Sequence, residues 1–107
     1  MITVDFLTPP EGRLLGFRVE GHAGWGKEGS DIVCAAVSSA VYLVANTVTE
    51  VLAVTPLSLR AEEGEFFLRL EPRDEPLCRS LMQGLKLHLS QLEEQYPEYV
   101  NVSYMEI

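Results

Sequence analysis

An α+β domain, with two helices packed on one mainly antiparallel sheet in the order ββαββαβ, is the fold this sequence predicts. Three observations predict it. Short runs rich in β-forming residues occur in pairs around compact turns. Two longer runs carry apolar residues at helical intervals, each following one of those pairs. A last alternating run follows the second helical one, so strands and helices segregate as they do in α+β domains.

Residues 2–7, Ile-Thr-Val-Asp-Phe-Leu, alternate and read as the first strand. Pro9-Pro10-Glu11-Gly12 is a turn, and Leu14 to Glu20 reads as the second strand of a hairpin that delivers His22 just past its end. A glycine-rich loop follows. Ser30 or Asp31 then caps a helix whose apolar residues Val33, Ala36, Val37, Ala40, Val41, Val44, Val48, Val51 and Leu52 recur at helical spacing. Thr55-Pro56 stops it. Leu57 to Ala61 and Glu65 to Leu70 form a second hairpin about the turn Glu62-Glu63-Gly64-Glu65. Asp74 or Glu75 lies near the start of a second helix, with the stripe Leu77, Leu81, Leu85, Leu89 and Leu92 and with Cys78, Met82 and His88 beside it. Tyr96-Pro97 ends that helix, and Val100 to Ile107 alternates as the last strand.

At 107 residues the chain is expected to form one domain, 1–107, with a modest core. The stretch Ile32 to Val54 is long enough to span a bilayer. Ser38, Ser39, Asn46, Thr47, Thr49 and Glu50 interrupt it, so a buried helix of a soluble domain is expected and no membrane partner. The first residues carry no basic region of the kind a signal peptide has. With two cysteines, 34 and 78, this favours free thiols in a reducing cytoplasm. Eight basic residues against sixteen acidic ones give a net charge of −8, which argues against direct nucleic-acid binding and suits a basic partner. His22, His88, Cys34 and Cys78 lack the paired spacing of zinc ligands, so neither a metal nor a cofactor is expected.

The segment Gly21-His22-Ala23-Gly24-Trp25-Gly26-Lys27-Glu28-Gly29-Ser30-Asp31-Ile32-Val33-Cys34 concentrates the chemistry. Gly24, Gly26 and Gly29 let the backbone fold back on itself between His22 and Cys34. Cys34 falls about one turn inside the helix, where the positive end of the dipole favours a thiolate, the form that attacks. A histidine brought to that thiolate is the minimum for nucleophilic catalysis by cysteine. The same residues also suit a buried cysteine and an ordinary loop histidine.

Around this pair, Asp31 lies three residues before Cys34 on the same helix face and could orient His22, or cap the helix. Ser38, one turn beyond Cys34, faces the same way. Backbone N–H groups at Val33 and Cys34 are candidate oxyanion donors. Gly24, Trp25, Gly26 and Gly29 form the expected substrate loop. Cys78 reads as core and His88 as a partly exposed helix residue.

On Gly21-His22-Ala23-Gly24 and on Gly29-x-Asp31-Ile32-Val33-Cys34-Ala35-Ala36-Val37-Ser38, continuing through Asn46, the chain resembles the bacterial ribosomal-processing cysteine proteases, the Prp family. The resemblance implies a homodimeric endopeptidase with a cysteine–histidine dyad at Cys34 and His22. It also implies the substrate: a basic ribosomal protein precursor, the twenty-seventh of the large-subunit series, which loses a short N-terminal extension ending in an aromatic residue. Two rival classes fit parts of the sequence. A redox-active thiol protein would use Cys34, but no resolving cysteine lies near it and the histidine loop has no role there. A non-catalytic ribosome-assembly factor would bind the same basic protein without cutting it.

Overall fold

Both expected hairpins are present in the computed structural model. It describes residues 1–21 and 30–107, apart from the side chains of Ser30 and Asp31. β1 (Ile2–Thr8) pairs antiparallel with β2 (Gly16–Gly21), from Ile2↔Gly21 to Leu7↔Gly16. β3 (Ser58–Glu62) pairs antiparallel with β4 (Glu65–Arg69), and β4 also pairs antiparallel with β2. β5 (Val100–Glu106) runs parallel to β1, from Ile2↔Val100 to Thr8↔Glu106. The sheet order is β3-β4-β2-β1-β5. The sheet is therefore mixed, because the chain returns to β1 through a helical crossover, which permits a parallel neighbour.

The second strand starts two residues later than alternation suggests. Leu14 and Leu15 are buried ahead of the ladder, with the Leu15 N–H donating to the Leu7 carbonyl and the Leu70 N–H to the Leu15 carbonyl. Gly16 follows at φ 150°, where a side chain would collide with the Leu68 carbonyl of β4. Only glycine allows the two strands to approach so closely there.

α1 (Ser30–Asn46) continues as a π-helical turn over Thr47–Val51. The Leu52 N–H reaches back to the Thr47 carbonyl and the Val54 N–H to Val48, and Ala53, at φ 54°, reverses the chain. The helix thus ends before Thr55-Pro56. Thr47 and Thr49 donate their hydroxyls to the Leu43 and Ala45 carbonyls, competing with the regular backbone pattern where it widens. Ile32–Val51 is long and apolar enough to cross a membrane by length and composition. Here Val33, Val37, Val41, Val44 and Val48 point into the core.

α2 (Glu75–Gln95) turns inward a face that overlaps the expected leucine stripe but is rotated from it, with Leu81 and Leu92 packed at the edge of the core. Cys78, Met82, Leu85 and Leu89 are buried, whereas Leu77 is 59% exposed. Steps of four overshoot a helical turn by about 40°, so a stripe of such steps drifts off the core, while the alternating 4-3-4 spacing stays on it. Glu75 is buried in the first turn, where Arg79 donates to both carboxylate oxygens at 2.7 and 2.8 Å. Neither Asp74 nor Glu75 acts as a side-chain cap. The valines of α1 and the buried face of α2 meet Val4 and Phe6 of β1, Phe17 of β2, and Phe66 and Leu68 of β4 in one core.

Candidate active site

Cys34 is the fifth residue of α1, half-buried at the edge of the core. Ser38 and Tyr42 follow it at successive i+4 positions, so all three share one helix face. With Val37 and Val41 they form one wall of a cavity of about 140 Å³. The sheet supplies the facing wall: Ile2, Val19 and Gly21 from β1 and β2, and Glu62, Gly64, Glu65 and Phe66 from the second hairpin.

Gly21 fixes how that wall is assembled. It takes φ 94° at the end of β2, and its N–H donates to the Gly64 carbonyl at 2.9 Å, tying the strand end to the β3–β4 turn. The next residue in the chain is His22. The cavity holding Cys34 thus includes the residue from which the chain enters the expected catalytic loop.

The rim is acidic. Glu62 and Glu65 face each other across the hairpin, and Glu20 pairs in register with Glu65. Glu65 lies 3.8 Å from Arg18 and 3.6 Å from Arg60, and Arg18 also pairs with Glu20. Glu62 makes no ion pair among the described residues and lies open to a charge from outside.

Of the residues singled out in the sequence, Cys34 and Ser38 come together on this cavity. His22, Gly24, Trp25, Gly26, Gly29 and the Asp31 side chain lie outside the described residues. The Val33 and Cys34 N–H groups lie at the fourth and fifth positions of α1, which begins at Ser30.

Cys78 is fully buried in α2. Burial, then the charges of Asp74 and Glu75, push its thiol up and away from the thiolate. His88 is exposed and borders a separate apolar groove between α1 and α2, with Leu43, Leu81 and Leu92. No group of three or more His, Cys, Asp or Glu side chains among the described residues is placed to hold a metal ion. Tyr42, Phe66, Glu62 and Glu65 were not anticipated as site residues. Only the non-local β2–β4 pairing brings the second hairpin to Cys34, and no local motif announces it.

A half-buried thiol near the start of a helix, opening on a cavity, is an arrangement that nucleophilic catalysis by cysteine uses. The comparisons carry this further. Residues 1–101 match the family model described as Cysteine protease Prp, and the chain belongs to that family of cysteine proteases. It is 29% identical over 105 residues to the ribosomal processing cysteine protease Prp of Staphylococcus aureus, covering 97% of this chain and 99% of that one. Its fold is similar to the crystal structure of an essential ribosomal processing protease Prp from S. aureus in complex with a substrate peptide. That match has a TM-score of 0.87 at 27% identity, over 98% of this chain and 100% of that one. A second S. aureus structure, with a covalently linked product peptide, matches with a TM-score of 0.85 at 28% identity over the same shares of the two chains.

Proposed function

We propose that Cys34 and His22 form the catalytic dyad of an endopeptidase that trims a bacterial ribosomal protein during ribosome assembly. The substrate is the precursor of the twenty-seventh large-subunit protein, which loses its short N-terminal extension. The observation that carries this reading is that Cys34 and Gly21, the neighbour of His22, line one cavity. The relative crystallised with a covalently linked product peptide supports a covalent route.

In this reading His22 takes the thiol proton as the Cys34 sulfur attacks the scissile carbonyl, forming a tetrahedral oxyanion. Collapse of the oxyanion breaks the C–N bond. His22 returns the proton to the departing amine, leaving a thioester on Cys34. Water then attacks the thioester, with His22 accepting its proton, and the acid product leaves as the thiol is restored. No step calls for a cofactor. Asp31 orients His22 or caps α1, Ser38 supports the site from the next turn, and the loop of Gly24, Trp25, Gly26 and Gly29 receives the peptide. The net charge of −8 and the glutamates at the cavity favour a basic substrate. The enzyme works as a homodimer in the cytoplasm.

The test is incubation of the purified protein with the precursor, followed by mass spectrometry. Release of the intact extension by the native protein, and none by Cys34→Ala, is the expected result. Cleavage by Cys34→Ala at the native rate would remove Cys34 from the mechanism, and an uncut precursor would remove the substrate.

A further inference from the structure

The sheet ends in two edges, β3 and β5. β3 is five residues long and carries Arg60 and Glu62. β5 is longer, at seven residues, with Glu106 as its one charge, no proline, and β-branched or aromatic side chains at Val100, Val102 and Tyr104. An edge strand of that length and low charge is a template for pairing with another chain.

Two hydrogen bonds fix which way its backbone groups point. The Val100 N–H donates to the Tyr96 carbonyl at 3.1 Å and the Val102 N–H to the Glu93 carboxylate at 2.6 Å, so both face away from β1. Ile107, of the opposite parity, donates to the Thr8 carbonyl at the end of β1. By the period of two, Tyr104 and Glu106 continue the outward series. Neither of their N–H groups meets an acceptor among the described residues. The end of α2 thus closes one half of the edge and leaves the other half open.

Glu93 is badly placed for its own helix. It stands in the last turn of α2, which holds no basic residue, and a carboxylate there opposes the helix dipole. It makes no ion pair among the described residues. What it gains is the bond to Val102, strengthened because the acceptor is charged. The strand, not the helix, accounts for an acid at this position.

We propose that Glu93 guards the β5 edge: by occupying the Val102 N–H it keeps β5 from pairing with β5 of a second copy. A new strand needs the outward groups of Val102 and Tyr104 together, and a carboxylate seated on the first of them blocks its approach. The strand held off is a second β5 because each copy offers the other the same edge, as a two-fold contact requires. Nothing in this depends on Cys34 or on a dimer formed through another face.

Amide hydrogen exchange and sedimentation velocity, followed over a range of protein concentrations, test it together. In the native protein the Val102 amide should exchange slowly and the Tyr104 amide fast. Glu93→Ala should speed Val102 exchange about tenfold or more in dilute solution. As concentration rises, its mass should grow towards about twice the native value while the Tyr104 amide becomes protected. Glu93→Gln, whose amide oxygen still accepts, should keep the native mass and a slow Val102 amide. Glu93→Met, a helix former of similar length, repeats the measurement should the alanine variant lose its thermal transition. A native mass at every concentration in Glu93→Ala and Glu93→Met overturns the proposal. Association that leaves Tyr104 exchanging fast does so too, since the contact then lies elsewhere. A Tyr104 amide already slow in the native protein would show the edge in use, and is equally fatal.

Discussion

A Cβ placed on Gly21 would lie 2.5 Å from the carbonyl oxygen of Met1. The residue before His22 is thus pressed against backbone that has no flexible side chain to yield. Its φ of 94° adds a second penalty for any residue but glycine. Gly21→Ala should lower stability by about 1–3 kcal/mol, measured by urea unfolding. Peptide cleavage should fall by more than the loss of folded protein explains, because the end of β2 must shift where the chain enters His22. Native stability together with native activity would show that this approach is not required.

His22→Ala should lower kcat by about 10²–10⁴, the range for loss of a general acid–base. Thermal unfolding should stay close to that of the native protein if the role is chemical. A parallel collapse of stability and rate would instead make His22 a structural residue.

The two thiols should react in a fixed order. Iodoacetamide at neutral pH should label Cys34, which lines the cavity, and spare Cys78, which is fully buried and pushed away from the thiolate. Peptide mapping before and after unfolding in guanidinium checks this, with Cys78 labelled only in the unfolded chain. Cys78→Ala should leave kcat unchanged.

Glu75 gives the fold a pH dependence of known sign. The two hydrogen bonds from Arg79 hold its carboxyl below the ordinary value of 4.5, outweighing the upward push of burial. The stabilisation is complete above that value, where the unfolded side chain is ionised as well. It is lost as pH falls through the lower folded value. Native protein should therefore unfold at higher urea than Glu75→Gln at pH 7, and the gap should close towards pH 3. A gap that widened in acid would contradict the pairing.

Much of the fold is legible in the sequence because hairpins and amphipathic helices are local. Pro9-Pro10-Glu11-Gly12 marks the first turn, and the valine spacing of α1 marks its buried face. Cys34 and Ser38 are readable as neighbours for the same reason, being one helical turn apart. What escapes is non-local or competitive. Alternation cannot say that β5 lies parallel beside β1, since strand direction is set by the path between them. The run of leucines in α2 disguises the spacing that packs, leaving Leu77 outside. Phe66 and Glu62 enter the cleft through strand pairing between distant segments, which leaves no mark on either of them, whereas Tyr42 shares the Cys34 face of α1 and is drawn in only because the cavity extends that far.

The pairing of β1 with β5 also sets when the cleft comes into being. Ile2 lines the cavity, and its N–H is held by the Tyr99 carbonyl at 2.7 Å. Further along the same pair of strands, Asp5 accepts from Ser103 across a separation of 98 residues. Contacts this distant in sequence close late, after the entropy of the intervening chain has been lost. One wall of the cleft is thus expected to be among the last parts of the molecule to settle. On dilution from denaturant, helical signal should return first and peptide hydrolysis after it, so that turnover itself serves as the clock for the final folding step.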